Sequence, residues 1–234
     1  MSVPAPPGRA VAVVPARAGS RGLPGKNLMT VGNASLVARA VRSARGAGIE
    51  QVVVSTDGTD IAEEAERLGA TVVLRPAELS TGSSRTVSAL LHAARTLDLP
   101  DDTTVVLLQP TSPLRTADDV RAVLERHARG DVRTTLTVTT ADHHPWKQLL
   151  VGPDGSVRPV RTWPDLEAPR QELPEALRIN GAVYATALGA MRAADSVIVP
   201  EVAAVPMPVE RSADVDTVAD LERVRRAARE LGED

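Results

Sequence analysis

Four short aliphatic runs alternate with four amphipathic helical patterns in the first half of this chain, and this alternation constrains the fold more than any other feature. Turn residues bound each run, and runs of this kind fill strands that are buried on both faces. The alternation predicts βαβ units, and therefore a mostly parallel sheet with helices on both faces. The predicted strands are 11–14, 51–55, 71–74 and 105–108, and the predicted helices are 35–47, 61–68, 87–94 and 117–129.

Polar side chains follow each of these strands, at the point where the strand ends. Arg17, Asp57, Arg75 and Gln109 come after the first, second, third and fourth runs. Ligands of parallel sheets bind beyond the carboxyl ends of the strands. Each residue alone could be an ordinary turn residue, and for Asp57 the two interpretations are even. Together the four predict a polar cleft that tolerates anions.

The turn after the first strand is rich in glycine and in positive charge. Glycines let a backbone approach a ligand closely, and cations beside free amides suit a triphosphate. The two common phosphate loops are excluded, because one needs Gly at Ser20 and Ser or Thr at Asn27, and the glycine spacing is not G-x-G-x-x-G. A flexible loop with solvated charges is the alternative. The glycines and cations are Gly19, Gly22, Gly25, Arg17, Arg21 and Lys26.

Charge and composition exclude several classes of protein. A net charge of −3 and a pI near 5.9 argue against a general nucleic-acid binder. The absence of Cys excludes disulfides, thiolate metal sites and a Cys nucleophile. The first residues lack a signal-peptide apolar region, and no apolar run reaches the roughly 18 residues of a membrane span. We therefore expect a single cytoplasmic domain over residues 1–234 without a membrane or nucleic-acid partner.

Two carboxylates stand just before the last helical pattern, 218–231. Asp214 and Asp216 are two positions apart in an extended segment, so both side chains point the same way and can reach one cation. Mg²⁺ needs few protein ligands when triphosphate oxygens and water supply the rest. The alternative is that Asp216 only caps the helix.

The pattern changes after residue 130. Residues 134–140 alternate like a half-exposed strand, 179–184 and 202–207 read as further strands, and the stretch between 145 and 174 is rich in proline without a helical period. Residues 141–178 are therefore predicted to form an arm, too small for a core of its own, that dimerises the protein. His143 and His144 lack further ligands at metal spacing, so we assign them a structural role.

The ordered motifs of the chain resemble those of the acylneuraminate cytidylyltransferases, also called CMP-sialic acid synthetases. The resemblance implies a three-layer, Rossmann-like nucleotidyltransferase fold and a homodimer whose arm covers the neighbouring active site. It also implies Mg²⁺ and CMP transfer from CTP to a sialic or related nonulosonic acid, with release of pyrophosphate. The matching blocks are ARAGSRGLPGKN, VSTDG, LRPAEL, LLQPTSPLR, HHPWK, APRQELP, RINGAVY and DVDT.

The resemblance also implies roles for individual residues. Nucleotide-binding residues would be Arg17, Ser20, Arg21, Lys26, Asn27, Arg75 and Thr86. Acceptor-binding residues would be Gln109, Asn180 and Tyr184, together with Lys147 and Arg170 donated by the partner subunit. Metal would be held by Asp214 and Asp216, and the catalytic set would be Arg17, Lys26 and Asp216.

One departure bears on the acceptor. Sialic-acid-specific members of the family carry two adjacent Phe where Ser196 and Val197 stand here, and this chain has no Phe. Loss of two rings removes apolar burial for the same ligand. The acceptor is therefore expected to differ from ordinary sialic acid, and a phosphonic acid is an alternative. Two further alternatives are another nucleotide donor and a non-catalytic nucleotide-binding module.

Overall fold

The computed structural model describes residues 9–19, 22–82 and 84–232, and its centre is a seven-stranded sheet. The strand order is β11-β7-β10-β6-β1-β4-β5, and every neighbouring pair is parallel except the two that β10 makes. The strands are β1 (Ala10–Pro15), β2 (Thr30–Val31), β3 (Ala34–Ser35), β4 (Gln51–Thr56), β5 (Thr71–Leu74), β6 (Thr104–Leu108), β7 (Thr134–Thr140), β8 (Leu149–Val151), β9 (Val157–Pro159), β10 (Leu177–Ala187) and β11 (Val202–Pro206).

Helices cover both faces of the sheet, which confirms the α/β fold. They are α1 (Leu36–Gly46), α2 (Thr59–Arg67), α3 (Thr86–Thr96), α4 (Ala117–His127), α5 (Trp163–Glu167), α6 (Leu188–Ala194) and α7 (Val218–Glu230). One core packs α1, α2 and α4 against the sheet, and a second packs α3 and α6 against the opposite face. A third packs α7 against Leu23 of the loop after β1, together with Val31, Leu36 and Leu114.

Local chemistry explains where the helices begin. Ser35 accepts a hydrogen bond from Ala38 N and caps α1, as its position before the apolar pattern predicts. Thr217, not Asp216, caps α7 and forms a capping box with Asp220. The capping alternative for Asp216 is therefore wrong, and its carboxylate is available for another partner.

The prediction that 134–140 is half-exposed is also wrong. Residues 134–139 of β7 are buried, because this strand lies between β10 and β11. Two of its buried hydroxyls are paired within the sheet: Thr137 Oγ1 donates to Asn180 Oδ1 at 2.7 Å, and Thr186 Oγ1 donates to Thr134 Oγ1 at 3.2 Å. The Thr139 hydroxyl is buried without a partner among the described residues. Satisfied threonines are compatible with an interior strand.

Between β7 and β10 the chain leaves the sheet. The segment 141–176 contains the β8–β9 hairpin, which pairs with no other described strand, and the short helix α5. The Arg161 guanidinium stacks 3.9 Å from the Trp146 ring centroid, and His144 bonds Pro174 O and the Trp146 amide. The segment 141–176 also exposes several apolar side chains, which include Leu149, Leu150, Val151, Val157, Val160 and Trp163.

Within the described part of the chain, no helix has both the length and the apolar character needed to cross a bilayer.

Candidate active site

A cleft of about 220 Å³ lies beyond the carboxyl ends of β1 and β6, where the sequence predicts it. Four cations line this cleft, and no Asp or Glu is among the described residues that line it. Such a surface attracts a polyanion. The lining residues are Pro15, Arg17, Lys26, Asn27, Arg75, Thr81, Gly82, Ser84, Arg85, Thr86, Gln109, Pro110 and Thr111.

The loop after β1 is braced from within and from β4. Asp57 Oδ1 accepts a hydrogen bond from Ala18 N at 2.8 Å, so this carboxylate holds the loop backbone. Asn27 is 5% exposed and donates to Arg17 O at 2.8 Å, and Arg17 Nη1 donates to Thr81 O at 2.9 Å. Asn27 therefore orients Arg17 and fixes the near wall of the cleft. Ser20 and Arg21 lie outside the described residues.

Lys26 joins this loop to the late carboxylates. Its ammonium group lies 2.9 Å from Asp216 Oδ1 and donates to Val215 O at 3.1 Å. The two backbones also touch, because a Cβ added to Gly22 would lie 2.6 Å from Asp216 O. Glycine is required here by this close approach. The glycine-rich loop after β1 and the Asp pair, separated in sequence, thus meet at one place in the fold.

Asp214 is a half-buried carboxylate beside this junction. Its Oδ1 atom is buried and has no hydrogen-bond partner. Burial raises the pKa of Asp214, the nearby Asp216 raises it further, and a hydrogen bond from Thr111 and the charge of Lys26 oppose the shift. Burial also raises the pKa of Tyr184, and Asp214 contributes to that shift. Tyr184 and Asp214 therefore lie close enough to interact.

Asp214 and Asp216 supply some, but not all, of the oxygen ligands that a hard cation needs. An unsatisfied buried carboxylate oxygen and a second exposed carboxylate are ligands that Mg²⁺ accepts. No cluster of three or more His, Cys, Asp or Glu suited to a metal occurs among the described residues. Such an ion would therefore need further oxygens from a bound ligand.

Arg75 shows a similar unsatisfied group on the opposite wall. Its Nη2 donates to Ser55 O at 2.6 Å, while its Nε is buried without a partner. Burial lowers the pKa of Arg75, and the charge of Arg17 lowers it further, against the opposing effect of Asp57. Two guanidinium groups that repel each other across a cleft are stabilised by an anion between them.

The predicted acceptor residues on the sheet occupy two kinds of environment. Gln109 lines the cleft and packs closely on Gly181, because a Cβ added to Gly181 would lie 2.7 Å from Gln109 Oε1. Gly181 has φ 79°, so glycine is needed there for its backbone as well. Asn180 is 3% exposed, and its amide is bonded to Thr137, Ala182 and Ser212. Asn180 thus supports the strand next to Gln109 and does not face the cleft.

Lys147 and Arg170 lie on the 141–176 segment and are absent from the cleft lining. Lys147 Nζ donates to Leu166 O at 3.1 Å, and Arg170 is exposed beside a separate shallow depression of the arm. Neither side chain therefore lines the cleft of this chain.

Two residues of the site were not predicted. Thr111 follows Gln109, so its place at a strand end was a usable signal. Its side chain forms a hydrogen bond with the Asp214 carboxylate, and its carbonyl oxygen accepts a hydrogen bond from Val215 N at 2.8 Å. Arg85 lines the cleft next to Thr86 and pairs with Asp195. Nothing local marks Arg85, because its partner lies 110 residues further along the chain.

Residues 11–148 match the family model described as Cytidylyltransferase. The chain is 34% identical to the CMP-N,N'-diacetyllegionaminic acid synthase of Legionella pneumophila over 91% of this chain and 93% of that protein. It is 28% identical to the N-acylneuraminate cytidylyltransferase of Streptococcus agalactiae over 90% of this chain, but spans 51% of that protein. A CMP:2-keto-3-deoxy-manno-octonic acid synthetase structure complexed with CTP matches over 95% of this chain and 99% of that chain, with TM-score 0.69 and 20% identity.

Proposed function

This chain belongs to the cytidylyltransferase family, and from that premise we propose that it transfers CMP from CTP to a sialic or related nonulosonic acid, with release of pyrophosphate. The observation that carries the proposal is the Lys26–Asp216 contact, which joins a cation-lined cleft to a pair of carboxylates. The Legionella and Streptococcus relatives support the acceptor class by their names. A cytoplasmic location goes with the use of CTP.

The nucleotide occupies the cleft with its phosphates toward Arg17, Lys26 and Arg75. The unsatisfied Arg75 Nε and the absence of carboxylates among the described lining residues support this orientation. Ser20, Arg21, Asn27 and Thr86 complete the proposed nucleotide site, with Asn27 acting by holding Arg17.

In this proposal Asp214 and Asp216 would hold Mg²⁺, and bound nucleotide would supply its further oxygen ligands. When bound, the ion neutralises charge on the triphosphate. In the ligand-free protein Lys26 takes the place of a cation on Asp216. Ligand binding frees Lys26 to face the leaving pyrophosphate, where a fixed cation stabilises developing charge. The acceptor oxygen attacks the α-phosphorus in line, and Asp216 takes its proton directly or through water.

The acceptor lies between Gln109 and Tyr184. Its carboxylate is bound by Lys147 and Arg170 of a second subunit, which reach over from the arm. Two observations support a homodimer of this kind. Neither cation lies in the cleft of its own chain, and the arm carries many exposed apolar side chains, of which Val151 is 74% exposed. Apolar surface of this extent is typical of an interface.

The test is a pyrophosphate-release assay with CTP and Mg²⁺ against sialic, other nonulosonic and phosphonic acids, with products identified by mass. We expect a CMP adduct of a nonulosonic acid. Parallel reactions with UTP and deoxynucleotides test the donor. Turnover with a phosphonic acid alone, or binding of CTP without pyrophosphate release, would replace the proposal by one of its alternatives.

A Gly22→Ala variant, with Gly19→Ala as its matched control, ties that activity to the site. The two substitutions add the same methyl group to the same loop. At Gly22 the methyl meets Asp216 O, and at Gly19 it meets no atom of the described residues within 4 Å. Activity that is lost in the first variant and kept in the second connects turnover to the junction of loop and carboxylates.

A further inference from the structure

Arg85 is a cation of the cleft that the sequence analysis left without a role. It is the residue before α3 and lines the cleft between Ser84 and Thr86. Its side chain makes no capping hydrogen bond to that helix. Its guanidinium instead forms an ion pair with the Asp195 carboxylate, and its Nη2 donates to Asp195 O at 2.5 Å.

Asp195 is built to receive this guanidinium. It ends α6 in the left-handed conformation, with φ 45° and ψ 43°. Asp is one of the residues other than Gly that adopt this conformation, and helices commonly end in it. Here it directs both the carboxylate and the backbone carbonyl of Asp195 toward Arg85, where the negative end of a helix also favours a cation.

The pair lies on the side of the cleft assigned to the acceptor. The helices α3 and α6 that carry it pack in one core, and Tyr184 and Val197 are both half-buried against that same core. Val197 is two residues from Asp195, and Tyr184 is a proposed acceptor contact. Arg85 and Asp195 thus form the rim next to the acceptor end of the site.

The chemistry of the pair suits a neutral polar group better than a phosphate. Asp195 neutralises Arg85, so the pair lacks the net positive charge that Arg17 and Arg75 bring to the cleft. Both side chains are largely exposed, 59% and 61%, and ion pairs at such exposure are weak enough to exchange for a ligand. The described residues leave Arg85 Nε and Asp195 Oδ1 without hydrogen-bond partners, which provides a donor beside an acceptor.

We propose that Arg85 and Asp195 are a specificity-determining pair that binds a hydroxyl or acylamido substituent of the acceptor, at the end remote from its carboxylate. A guanidinium donates to the carbonyl or hydroxyl oxygen, and a carboxylate accepts from the amide or hydroxyl hydrogen. This inference rests on the proposed function, because it assigns the acceptor to this side of the cleft.

The test compares sugar acids that share the carboxylate and the anomeric hydroxyl and differ at the far end in an acylamido group, a hydroxyl or a hydrogen. Steady-state pyrophosphate release gives kcat and KM for each acid with the wild type, Arg85→Ala, Arg85→Lys and Asp195→Ala. Arg133→Ala is the matched control, because Arg133 forms a similarly exposed pair with Glu201 and does not line the cleft.

We expect Arg85→Ala and Asp195→Ala to lower kcat/KM at least about tenfold for the polar acceptors, mainly through KM. For the acid that carries only a hydrogen at the far end, kcat/KM should stay within about twofold of the wild-type value, and so should the KM for CTP. Arg85→Lys should recover part of the loss. Arg133→Ala should change nothing.

A raised KM for CTP with an unchanged acceptor preference would make Arg85 a nucleotide contact and overturn the inference. An equal loss with every acceptor, or no loss with any, would overturn it as well. In all three cases the wild-type turnover would leave the proposed function standing. A wild type that releases no pyrophosphate with any acid would instead refute the proposed function, and the inference with it.

Discussion

Replacing Asp214 with Asn tests whether this carboxylate is held in an unfavourable state for the sake of a ligand. Asn has the same size and keeps the Thr111 contact but loses the charge. In the wild type, burial and the neighbouring Asp216 both oppose ionisation and raise the pKa of Asp214, and Oδ1 is buried without a partner. An unsatisfied buried polar atom costs about 1–3 kcal/mol. Asn keeps a buried carbonyl oxygen there, so only part of this cost is recovered.

We therefore expect the ligand-free Asp214→Asn protein to be more stable than the wild type by about 1 kcal/mol at pH 7, which raises Tm by roughly 2–4 °C for a chain of this size. Turnover with CTP should fall at least about a hundredfold, because the proposed metal ligand is lost. Thermal unfolding followed by circular dichroism and a pyrophosphate-release assay measure the two effects on the same sample.

The pH dependence of the stability difference follows from the direction of the shift. The pKa of Asp214 is higher in the folded than in the unfolded protein, so the folded state binds the proton more tightly. The contribution of this group to stability is favourable below its ordinary pKa and is lost as the pH rises through the folded pKa. The advantage of Asp214→Asn should therefore shrink on acidification. A variant that melts at or below the wild-type temperature at pH 7, or that keeps near-normal turnover, would refute the reasoning.

Three further substitutions probe the rest of the site and the arm. Lys26→Met should lower kcat at least about a hundredfold in the same assay, since it removes the cation proposed to face the leaving group; turnover within tenfold of the wild type would contradict this role. Gly22→Ala should destabilise the protein by about 1–3 kcal/mol in urea unfolding, because its Cβ would lie 2.6 Å from Asp216 O, and an unchanged midpoint would show that the loop yields. Val151→Asp, at an apolar side chain that is 74% exposed on the arm, should convert a dimer to monomers in sedimentation velocity and reduce turnover. Leu74→Asp, at a position of β5 that is 68% exposed, should leave the dimer intact, and dimers that persist in Val151→Asp would exclude this face as the interface.

The elements that the sequence predicted well are those whose signals are local. The run at 51–55 became β4, and Ser35 caps α1, because apolar periodicity and a capping hydroxyl act within a few residues. The polar rim was predicted for the same reason, since the carboxyl end of a parallel strand is fixed once the strand is recognised.

The features that were missed depend on partners far along the chain. Burial of Thr134 and Thr137 in β7 could not be read from their alternation, since it depends on pairing with Thr186 and Asn180 of β10. The ion pair of Arg85 with Asp195 had no such local signal either. The α7 cap is a different case, because Thr217 and Asp220 stand three residues apart and form a capping box, a local signal that the sequence analysis did not use. Threonine counts as a polar residue in a sequence pattern, but its side chain can be buried in a sheet when the hydroxyl has a hydrogen-bond partner.

The contact of Lys26 with Asp216, 190 residues apart in the chain, has a consequence for biosynthesis. During translation the glycine-rich loop leaves the ribosome long before the residues that anchor it, and β1 must wait for β6 before it is enclosed in the sheet. The central strands can assemble first, but the loop meets its carboxylates only when the segment before α7 has emerged. The nascent protein therefore completes the geometry of the proposed active site last, after most of its sheet has been made.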